Sequence, residues 1–493
     1  LRSRRVMDIK LEKIDEAYLR VISDDRGIMM ELSEFFTFFV PGYKHMPAFK
    51  NKMWDGKLRL LDLRTNKIYS GLQKYIEQFC IERNYSIEVP YQEPFDDNID
   101  WVDLLPLGNI KPRDYQKDAV KYGLSNRKGL LVSPTASGKS LIIYLLIRYF
   151  MEYNKSKKIL LIVPTTSLVK QMYGDFADYS KDDETFNPNV CHQIMAGIDK
   201  NADTQIYIST WQSIYKMPKE YFQQFGMVIG DEAHNFKAKS LTSILTKCSA
   251  AEYRFGLTGT LDGTQTHKLV LEGLFGPVYN VTSTKALIDD NHLSDLDIEV
   301  VLLKHPEEMC KVISKLKYPD EISHIVSYDP RNKFIKNLAL DQKGNTLVLF
   351  QFVEKHGIPL HKMIADAAHK DRRIFFVSGM TDADTREEVR AITETQNDAI
   401  IVASLGTFST GINIKNLHNI IFASPSKSQI KVLQSIGRVL RKSATGRPAK
   451  VYDIADDLHW KSRKNYTLNH SAERIKIYAK QKFRFKIHEV ELL

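Results

Sequence analysis

The stretch Gly129–Phe150, GLLVSPTASGKSLIIYLLIRYF, contains the pattern that decides the fold. Its apolar start, GLLV, has the length of a buried strand, and SLIIYLLIRYF has the length of a helix. Between them lies a turn in which Gly138 lets the backbone approach an anion at the positive end of the following helix. The stretch therefore predicts a phosphate-binding loop, although Ser133 stands where the usual pattern has glycine.

The loop also carries the side chains that a nucleotide site needs. Lys139 can reach the β- and γ-phosphates, and the Ser140 hydroxyl can ligate Mg²⁺. The residues expected to wrap the phosphates beside them are Thr135, Ala136, Ser137 and Gly138. Because a G-K-S tripeptide alone is a weak signal, the prediction of ATP binding depends on the rest of the chain.

A second segment, GMVIGDEAHNF at residues 226–236, ends an apolar run in two carboxylates. Asp231 can hold Mg²⁺, and Glu232 can orient or deprotonate an attacking water. About three strand–helix units separate this segment from the loop, as an open parallel sheet requires. The two segments together predict ATP hydrolysis, with Lys139, Asp231 and Glu232 as catalytic residues and Ser140 and Asp231 as metal ligands.

Short apolar runs alternate with helical stretches through most of the chain, which predicts parallel α/β sheets. A first series contains GLLVS, KILLIVP, TQIYIST, MVIGDE and RFGLTGT, and a second contains IEVVLL, NTLVLFQF, RIFFVSG, DAIIVAS, NIIFASP and KVYDIAD. The segments before the first series are mixed, with strand-like KLRLLDL and YSIEVP and helical GIMMELSEFFTFF and LQKYIEQFCIERN. We therefore expect two α/β domains preceded by a small α+β domain.

The expected boundaries follow from these changes in pattern. The segments are a remnant ahead of the natural start (1–6), a small α+β domain (7–97), a linker (98–110), two α/β domains (111–280 and 281–459) and a basic extension (460–493). The extension should form a helix to about Lys482 and then a strand with alternating Phe483, Phe485 and Ile487. Its basic face either follows a DNA duplex or is simply solvated.

Composition restricts the function classes. The formal net charge of +10 falls to about +7 without the arginines of residues 1–6, which favours a polyanionic partner. Cys80, Cys191, Cys248 and Cys310 form no C-x-x-C pair, so we expect reduced core cysteines rather than a zinc site. With no apolar run of membrane-spanning length and no signal-peptide pattern, we expect a cytoplasmic protein.

Further motifs make the chain resemble the superfamily 2 helicases of the DEAH-box type over nearly all of residues 111–457. These motifs are PRDYQKDAV, VPTTSLVKQ, STWQSI, LTGTLDG, LVLFQF, ASLGTFSTGINIKNL and QSIGRVLR. The resemblance implies two tandem RecA-like motor domains, with ATP and Mg²⁺ as cofactors and nucleic acid as the partner. Asn413 departs from the pattern, because many members carry Asp there, so this position offers an amide for coupling in place of a carboxylate.

The resemblance also implies roles for individual residues. Tyr115 and Gln116 should contact the adenine base, and Arg113 should belong to the same ATP-binding set. Coupling of hydrolysis to movement should involve His234, Thr258, Thr260, Gly411 and Asn413. Contacts to the nucleic-acid strand should come from Thr165, Gln171, Thr210, Trp211, Gln351 and Ser404.

The motif QSIGRVLR has its own physical logic. Arg438 and Arg441 are three residues apart, so on a helix they share a face on which two guanidinium groups can neutralise charge on a γ-phosphate. The resemblance implies that Gln434 completes the ATP-binding set. Since these residues belong to the second α/β domain, we expect ATP to be gripped across a cleft; the alternative is a solvated basic face.

The N-terminal domain carries a basic and aromatic stretch, PGYKHMPAFKNKMWDGKLRL, at residues 41–60. Lysines that neutralise phosphates and aromatics that stack on bases favour an accessory DNA surface. Its expected contacts are Lys44, Lys52, Trp54 and Lys57. An equally weighted alternative places the aromatics in the core and the lysines on a solvated edge.

Over its whole length the chain resembles the recombination helicases of T-even bacteriophages within this superfamily. That implies a monomer in the host cytoplasm that unwinds and branch-migrates forks, Holliday junctions and RNA–DNA hybrids with 3′ to 5′ polarity. Single-strand-binding protein and other recombination proteins are expected partners. Two alternatives remain: the motor subunit of a restriction complex, which would need a separate nuclease, and a binding or annealing protein whose ATPase only controls release.

Overall fold

The computed structural model describes residues 7–92, 105–108, 110–134, 137–259, 261, 265–283, 286–287, 296–407, 416–425, 449–480 and 483–492. These residues divide into two compact units. The first ends at Val281, excluding the loop segment 134–137, and the second begins at Thr282. Among the described residues, no helix has both the length and the apolar content needed to cross a membrane.

The N-terminal part of the first unit is a small α+β structure, as predicted. Its strands are β1 (Ile9–Lys13), β2 (Tyr18–Ile22), β3 (Thr37–Phe39), β4 (Lys57–Arg59), β5 (Lys67–Tyr69) and β6 (Ile87–Glu88). Its α-helices are Arg26–Phe35, Pro47–Lys50 and Gln73–Arg83, with 3₁₀ turns at Tyr43–His45 and Ser70–Leu72. A four-stranded sheet has the order β5-β2-β1-β6, and β3 and β4 form a separate hairpin.

One prediction here is wrong. GIMMELSEFFTFF was expected to be helical throughout, but the helix ends at Phe35 and Thr37–Phe39 is a strand that pairs with β4. The Thr37 hydroxyl donates to the Ser33 carbonyl oxygen at 2.6 Å, which closes the last turn. The β-branched Thr37 and the phenylalanines after it then follow their preference for a strand.

The small sheet is fixed to the α/β sheet that follows it in the same unit. Tyr75 donates its hydroxyl hydrogen to Glu272 at 2.7 Å, and Lys128 donates to the Ser70 hydroxyl at 2.9 Å. Gly71 passes so close that a Cβ there would lie 2.0 Å from the Glu272 carbonyl oxygen. Leu269 completes the apolar core of the small sheet. The N-terminal part is therefore packed onto the α/β structure that follows it through both polar and apolar contacts.

The first motor sheet is seven-stranded and parallel throughout, in the order β13-β7-β12-β11-β8-β10-β9. Its strands are β7 (Lys128–Val132), β8 (Lys158–Val163), β9 (Cys191–Ile194), β10 (Ile206–Thr210), β11 (Phe225–Asp231), β12 (Tyr253–Thr258) and β13 (Val278–Asn280). Its α-helices are Asp114–Asn126, Lys139–Tyr153, Thr166–Tyr179, Trp211–Ile214, Lys219–Phe222, Lys239–Lys247 and Gln265–Phe275, with 3₁₀ turns at Pro188–Val190 and Ala233–Lys237.

Both faces of this sheet are covered, which is why its strands read as continuous apolar runs. In β8, Ile159 and Leu161 enter the core on one face, whereas Leu160 and Ile162 enter the core on the other. The carboxyl ends of parallel strands lie at one edge of a sheet, and ligands bind at that edge in open α/β folds.

The second unit also contains a seven-stranded parallel sheet, in the order β16-β17-β15-β18-β19-β14-β20. Its strands are β14 (Leu296–Lys304), β15 (Thr346–Phe350), β16 (Ile374–Val377), β17 (Ile400–Ser404), β18 (Asn419–Phe422), β19 (Ala449–Asp457) and β20 (Arg484–Glu491). Its α-helices are Glu307–Ile313, Tyr318–Ser327, Asp329–Asp341, Ile358–Ala367, Ala383–Thr395 and Tyr466–Lys480, with a π-turn at Val353–Gly357. The predicted pair of parallel-sheet motor domains is confirmed.

The basic C-terminal segment is part of this second sheet. Its helix, Tyr466–Lys480, is fixed by a buried ion pair in which Arg474 donates to both carboxylate oxygens of Asp453 at 2.7–3.0 Å. Its strand, β20, pairs with β14 at the sheet edge. Phe483 is buried, but Ile487 is 54% exposed, so the expected apolar side packs only in part. Arg474 is fully engaged inside the protein and is unsuited to a DNA contact.

All four cysteines are buried and unpaired, as predicted. Burial raises the pKa of Cys191 and of Cys248 to about 12 and that of Cys80 to about 11. These thiols therefore stay protonated at neutral pH, and they are poor nucleophiles.

A buried histidine joins three elements at the carboxyl edge of the second sheet. His356 is fully buried, with Nε2 3.1 Å from Asn332 Oδ1 and Nδ1 2.8 Å from the Ser424 hydroxyl. The backbone N–H of Gln351 donates to that same hydroxyl at 3.0 Å. Burial and the nearby Arg331 lower the pKa of His356 to about 3, so the ring is neutral and fixes the loop that carries Gln351.

We expect His356 to make stability depend on pH. Its folded-state pKa lies below that of a free histidine, so its contribution is fully present above about pH 6.5 and is lost as pH falls toward 3. Between pH 6.5 and 5 the loss should be about 2 kcal/mol. Urea unfolding of wild type and His356→Gln across this range checks the prediction, because the variant should lack that part of the slope. Parallel profiles for the two proteins would contradict it.

Candidate nucleotide and nucleic-acid sites

The strand order of the first motor sheet brings β7, which precedes the phosphate loop, close to β11, which ends at the acidic pair. β12 lies between β7 and β11, so Ser133, Thr258 and Asp231 stand at the ends of three adjacent strands. The Ser133 N–H donates to the Thr258 carbonyl oxygen at 2.8 Å, and Ser133 is fully buried. Serine at this position therefore serves as a buried strand exit, and the glycine of the usual pattern is not needed.

Gly138 turns the chain into the helix Lys139–Tyr153. Its backbone is left-handed, with φ +81°, and a Cβ there would lie 2.3 Å from Gln116 Nε2. Only glycine meets both conditions without strain. Ser137 is fully buried, and its hydroxyl donates to the Pro134 carbonyl oxygen at 2.5 Å.

The lysine of the loop faces the acidic pair. Lys139 Nζ lies 3.0 Å from Glu232 Oε1 and 4.0 Å from Asp231 Oδ1. Asp231 is 4% exposed, and its Oδ1 accepts the Glu232 N–H at 2.9 Å. Two carboxylates and an ammonium thus meet at the start of the helix that also carries the Ser140 hydroxyl. These donor types fit a Mg²⁺–nucleotide site.

Glu232 is held in an unusual backbone conformation, with φ +51° and ψ +49°. A non-glycine residue in this region is uncommon and is often found at functional sites. Its Oε2 lies 3.4 Å from His234 Nδ1, which in turn lies 2.9 Å from the Thr258 hydroxyl. The acidic turn is therefore linked to the end of β12, where the predicted coupling residues His234 and Thr258 meet.

The predicted base-binding residues lie beside the loop. Gln116, which is 3% exposed, accepts the Arg113 N–H at 2.8 Å and faces Gly138. The Arg113 guanidinium donates to the Tyr115 hydroxyl at 2.6 Å. These three side chains are thus brought together next to the helix that begins at Lys139.

Of the predicted nucleic-acid contacts of the first unit, Thr165 and Thr210 lie at the carboxyl end of the same sheet. Thr165 caps the helix Thr166–Tyr179, its hydroxyl accepting the Leu168 N–H at 3.3 Å. Thr210 ends β10, and its hydroxyl lies 2.9 Å from that of Ser213. Gln171 and Trp211 are half-buried. They lie on the helices that follow β8 and β10 in the chain.

In the second unit, Gln351 follows β15, and Ser404 is the last residue of the adjacent strand β17. The Gln351 side chain is exposed, whereas Ser404 is buried and donates to the Thr407 hydroxyl at 2.6 Å. The remaining predicted residues lie outside the described part of the chain: Thr135, Ala136, Thr260, Gly411, Asn413, Gln434, Arg438 and Arg441.

The N-terminal basic stretch forms an exposed hairpin tip. Phe39, which is 52% exposed, stacks on Tyr43 with ring centroids 4.7 Å apart. The Lys57 ammonium lies 5.2 Å from the Phe39 ring centre and that of Lys44 lies 5.9 Å from the Tyr43 ring centre. Trp54 is half-buried and donates Nε1–H to the Lys57 carbonyl oxygen at 2.9 Å. Trp54 therefore braces the hairpin, while Lys44 and Phe39 face solvent and Lys57 and Tyr43 are half-buried.

The structure adds residues that sequence reasoning missed. Tyr179 places its hydroxyl 2.8 Å from that of Ser140, and His356 holds Ser424 and the Gln351 loop. No motif marks either residue, because each lies far along the chain from the group it contacts.

Gly230, just before the acidic pair, is explained by packing. A Cβ there would lie 2.7 Å from Phe236 Cζ and 2.8 Å from Phe275 Cζ. We expect Gly230→Ala to destabilise the protein by about 1–3 kcal/mol through overpacking and to lower ATPase activity by displacing Asp231. The matched control Gly174→Ala adds the same methyl to an exposed helical site with no atom within 4 Å. Equal unfolding midpoints for the two variants would refute this account.

Comparisons with known proteins agree with this arrangement. Three family models match: "DNA helicase UvsW, N-terminal" at residues 8–90, "Type III restriction enzyme, res subunit" at 109–263 and "Helicase conserved C-terminal domain" at 330–443. The ATP-dependent DNA helicase uvsW of Enterobacteria phage T4 is 37% identical over 99% of this chain and 100% of its own length.

Further similarities are consistent with that match. The crystal structure of T4 UvsW superposes with a TM-score of 0.51 at 35% identity, covering 99% of this chain and 100% of that one. A DNA 3′-5′ translocase, XPB2, from Sulfurisphaera tokodaii is 23% identical over 76% of this chain and 88% of its own. The chain belongs to the UvsW family of ATP-dependent DNA helicases within superfamily 2.

Proposed function

We propose that this helicase uses ATP hydrolysis to unwind and branch-migrate branched DNA, including forks, four-way junctions and RNA–DNA hybrids, during recombination, repair and replication. The observation that carries the proposal is the full-length match to the phage helicase, which includes the N-terminal part with its exposed hairpin. A protein that remodels a branch needs a grip on one arm while its motor moves along another. The exposed hairpin and the carboxyl end of the first motor sheet are two such surfaces.

In the proposed nucleotide site, Lys139 contacts the β- and γ-phosphates, and Ser140 and Asp231 hold Mg²⁺. The ammonium of Lys139 now neutralises Glu232 and Asp231 at 3.0 and 4.0 Å; a metal ion at Asp231 would take over that role and release Lys139 for phosphate. When bound, Mg²⁺ would neutralise charge on the phosphate oxygens. Gly138 and Ser137 wrap the phosphates, and Arg113, Tyr115 and Gln116 receive the base.

Glu232 is the proposed base that orients the attacking water. His234 and Thr258 are proposed to transmit the conformational change that accompanies hydrolysis toward β12. The 2.9 Å contact between His234 and Thr258 supports this route. The proposed contacts to the nucleic-acid strand remain Thr165, Gln171, Thr210, Trp211, Gln351 and Ser404. Thr260, Gly411, Asn413, Gln434, Arg438 and Arg441 stay predictions from sequence.

A preassembled four-way junction tests the proposed reaction. Fluorescently labelled arms should separate with ATP and remain joined with a non-hydrolysable ATP analogue, while a linear duplex of equal length reacts more slowly. Conversion at equal rates with ATP and with the analogue would favour an annealing protein whose ATPase controls release. Copurification with a nuclease subunit, together with translocation along linear duplex and no junction conversion, would favour a restriction motor.

The hairpin has its own test. Replacing Lys44 and Lys52, both exposed, by Glu should weaken fork binding and reduce the slope of log Kd against log salt by about 2, because each lysine is expected to contact one phosphate. ATPase activity without DNA should not change. The matched control Lys181→Glu, on a solvated surface lysine that is 73% exposed, should leave the salt slope intact. An unchanged slope in the double variant would remove the hairpin from the DNA surface.

A further inference from the structure

The proposed metal ligand Ser140 has a partner that no motif predicts. Its hydroxyl oxygen lies 2.8 Å from the Tyr179 hydroxyl, and either group can donate. Ser140 is in the first turn of the helix Lys139–Tyr153, whereas Tyr179 is the last residue of the helix Thr166–Tyr179. The contact therefore joins the phosphate-loop helix to the helix that is capped by Thr165, a predicted nucleic-acid contact.

Tyr179 is held in place by a buried frame. Its ring packs against Tyr144, which is fully buried, with centroids 5.4 Å apart. The Tyr144 hydroxyl accepts from Arg148 at 3.0 Å, and Arg148 forms a buried ion pair with Asp183. A side chain packed in this way keeps its hydroxyl beside Ser140 as long as the two helices keep their relative position.

We propose that Tyr179 is a positioning residue that orients the Ser140 hydroxyl for Mg²⁺ and links metal loading to DNA binding. The proposal rests on the proposed role of Ser140 as a metal ligand. When the Tyr179 oxygen accepts the Ser140 hydrogen, both lone pairs of Ser140 Oγ are left for the metal. Partners behind a metal ligand set its orientation and affinity in this manner.

The link to DNA follows from the geometry of the second helix. Its 14 residues span about 21 Å, with Thr165 capping one end and Tyr179 at the other. A helix moves as a rigid element, so a nucleic-acid strand that displaces its first turn also displaces Tyr179. DNA binding and Mg²⁺ affinity should therefore change together.

The test is a Mg²⁺ titration of the whole protein with a fluorescent non-hydrolysable ATP analogue, with and without fork DNA. In Tyr179→Phe, the Mg²⁺ concentration for half-saturation should rise about tenfold, and the shift that fork DNA causes in wild type should shrink. Analogue affinity in EDTA should be unchanged, because Tyr179 acts only through the metal ligand. Tyr173→Phe, a half-buried tyrosine on the same helix, is the matched control.

Two results would overturn the inference. One is a Mg²⁺ dependence in Tyr179→Phe equal to that of Tyr173→Phe; the other is an equal loss of affinity with Mg²⁺ and in EDTA, which indicates a structural role. Ser140→Ala separates the proposed metal role of Ser140 from the proposed positioning role of Tyr179. If Ser140→Ala keeps wild-type Mg²⁺ affinity, the proposed metal role of Ser140 fails; if it weakens Mg²⁺ binding while Tyr179→Phe does not, only the role of Tyr179 fails.

Discussion

Lys139→Ala should lower the rate of ATP hydrolysis at least about a hundredfold, the loss expected when one charge-stabilising group is removed from a reaction centre. The change removes the cation that lies 3.0 Å from Glu232 and that we propose moves to the phosphates. It also leaves Asp231 and Glu232 without that neutralising charge, so nucleotide affinity should fall as well. Steady-state ATPase assays with saturating DNA and nucleotide titrations measure the two effects separately.

Lys155→Ala is the matched control for this change. Lys155 is exposed, just beyond the end of the same helix, so its variant should hydrolyse ATP at the wild-type rate. Junction conversion should fail with Lys139→Ala and proceed with Lys155→Ala. If Lys139→Ala converts a junction as fast as wild type, the motor interpretation is wrong.

Glu232→Gln should reduce the hydrolysis rate about 10²- to 10⁴-fold, the range for removal of a positioned general base. Glutamine keeps the size of the side chain, so the left-handed turn at φ +51° and the phosphate loop should persist. Removing one negative charge beside the phosphates should maintain or tighten nucleotide binding. Rapid-quench hydrolysis of one bound ATP per protein, together with equilibrium binding, distinguishes this outcome from that of Lys139→Ala.

Glu220→Gln provides the control, because Glu220 is exposed on the short helix Lys219–Phe222. It should match wild type in both assays. A Glu232→Gln protein that hydrolyses ATP within a few-fold of the wild-type rate would transfer the base role to another group. Loss of nucleotide binding instead would mean that Glu232 has a mainly structural role.

Most of the fold could be predicted because buried parallel strands have a strong sequence signal. The runs that became β7, β8, β10, β11 and β12 are continuous and apolar. The edge strands β9 and β13 were missed, since Cys191–Ile194 and Val278–Asn280 are short and contain polar residues. The tail was expected as an extension, but its strand β20 pairs with β14, which lies far earlier in the sequence.

The arrangement of the candidate nucleotide site was predictable to the extent that its residues are local in sequence. Lys139, Ser140, Asp231 and Glu232 belong to two short segments, and the strand order that brings them together follows from the α/β pattern. Tyr179 and His356 could not be predicted, because a single hydroxyl or ring contact between distant helices leaves no periodicity or spacing. No sequence pattern explains Gly230, whereas the rings of Phe236 and Phe275 in the structure do.

The packing of the N-terminal part onto the first motor sheet affects how its role can be studied. Deleting residues 7–92 would expose Leu269 to water and strip Glu272 and Lys128 of the partners Tyr75 and Ser70. A shortened protein would then expose an apolar surface that promotes aggregation, and it would also lack the hairpin. A loss of activity in it would therefore have two causes. Charge changes at the hairpin tip leave that packing intact, so they report on DNA binding alone.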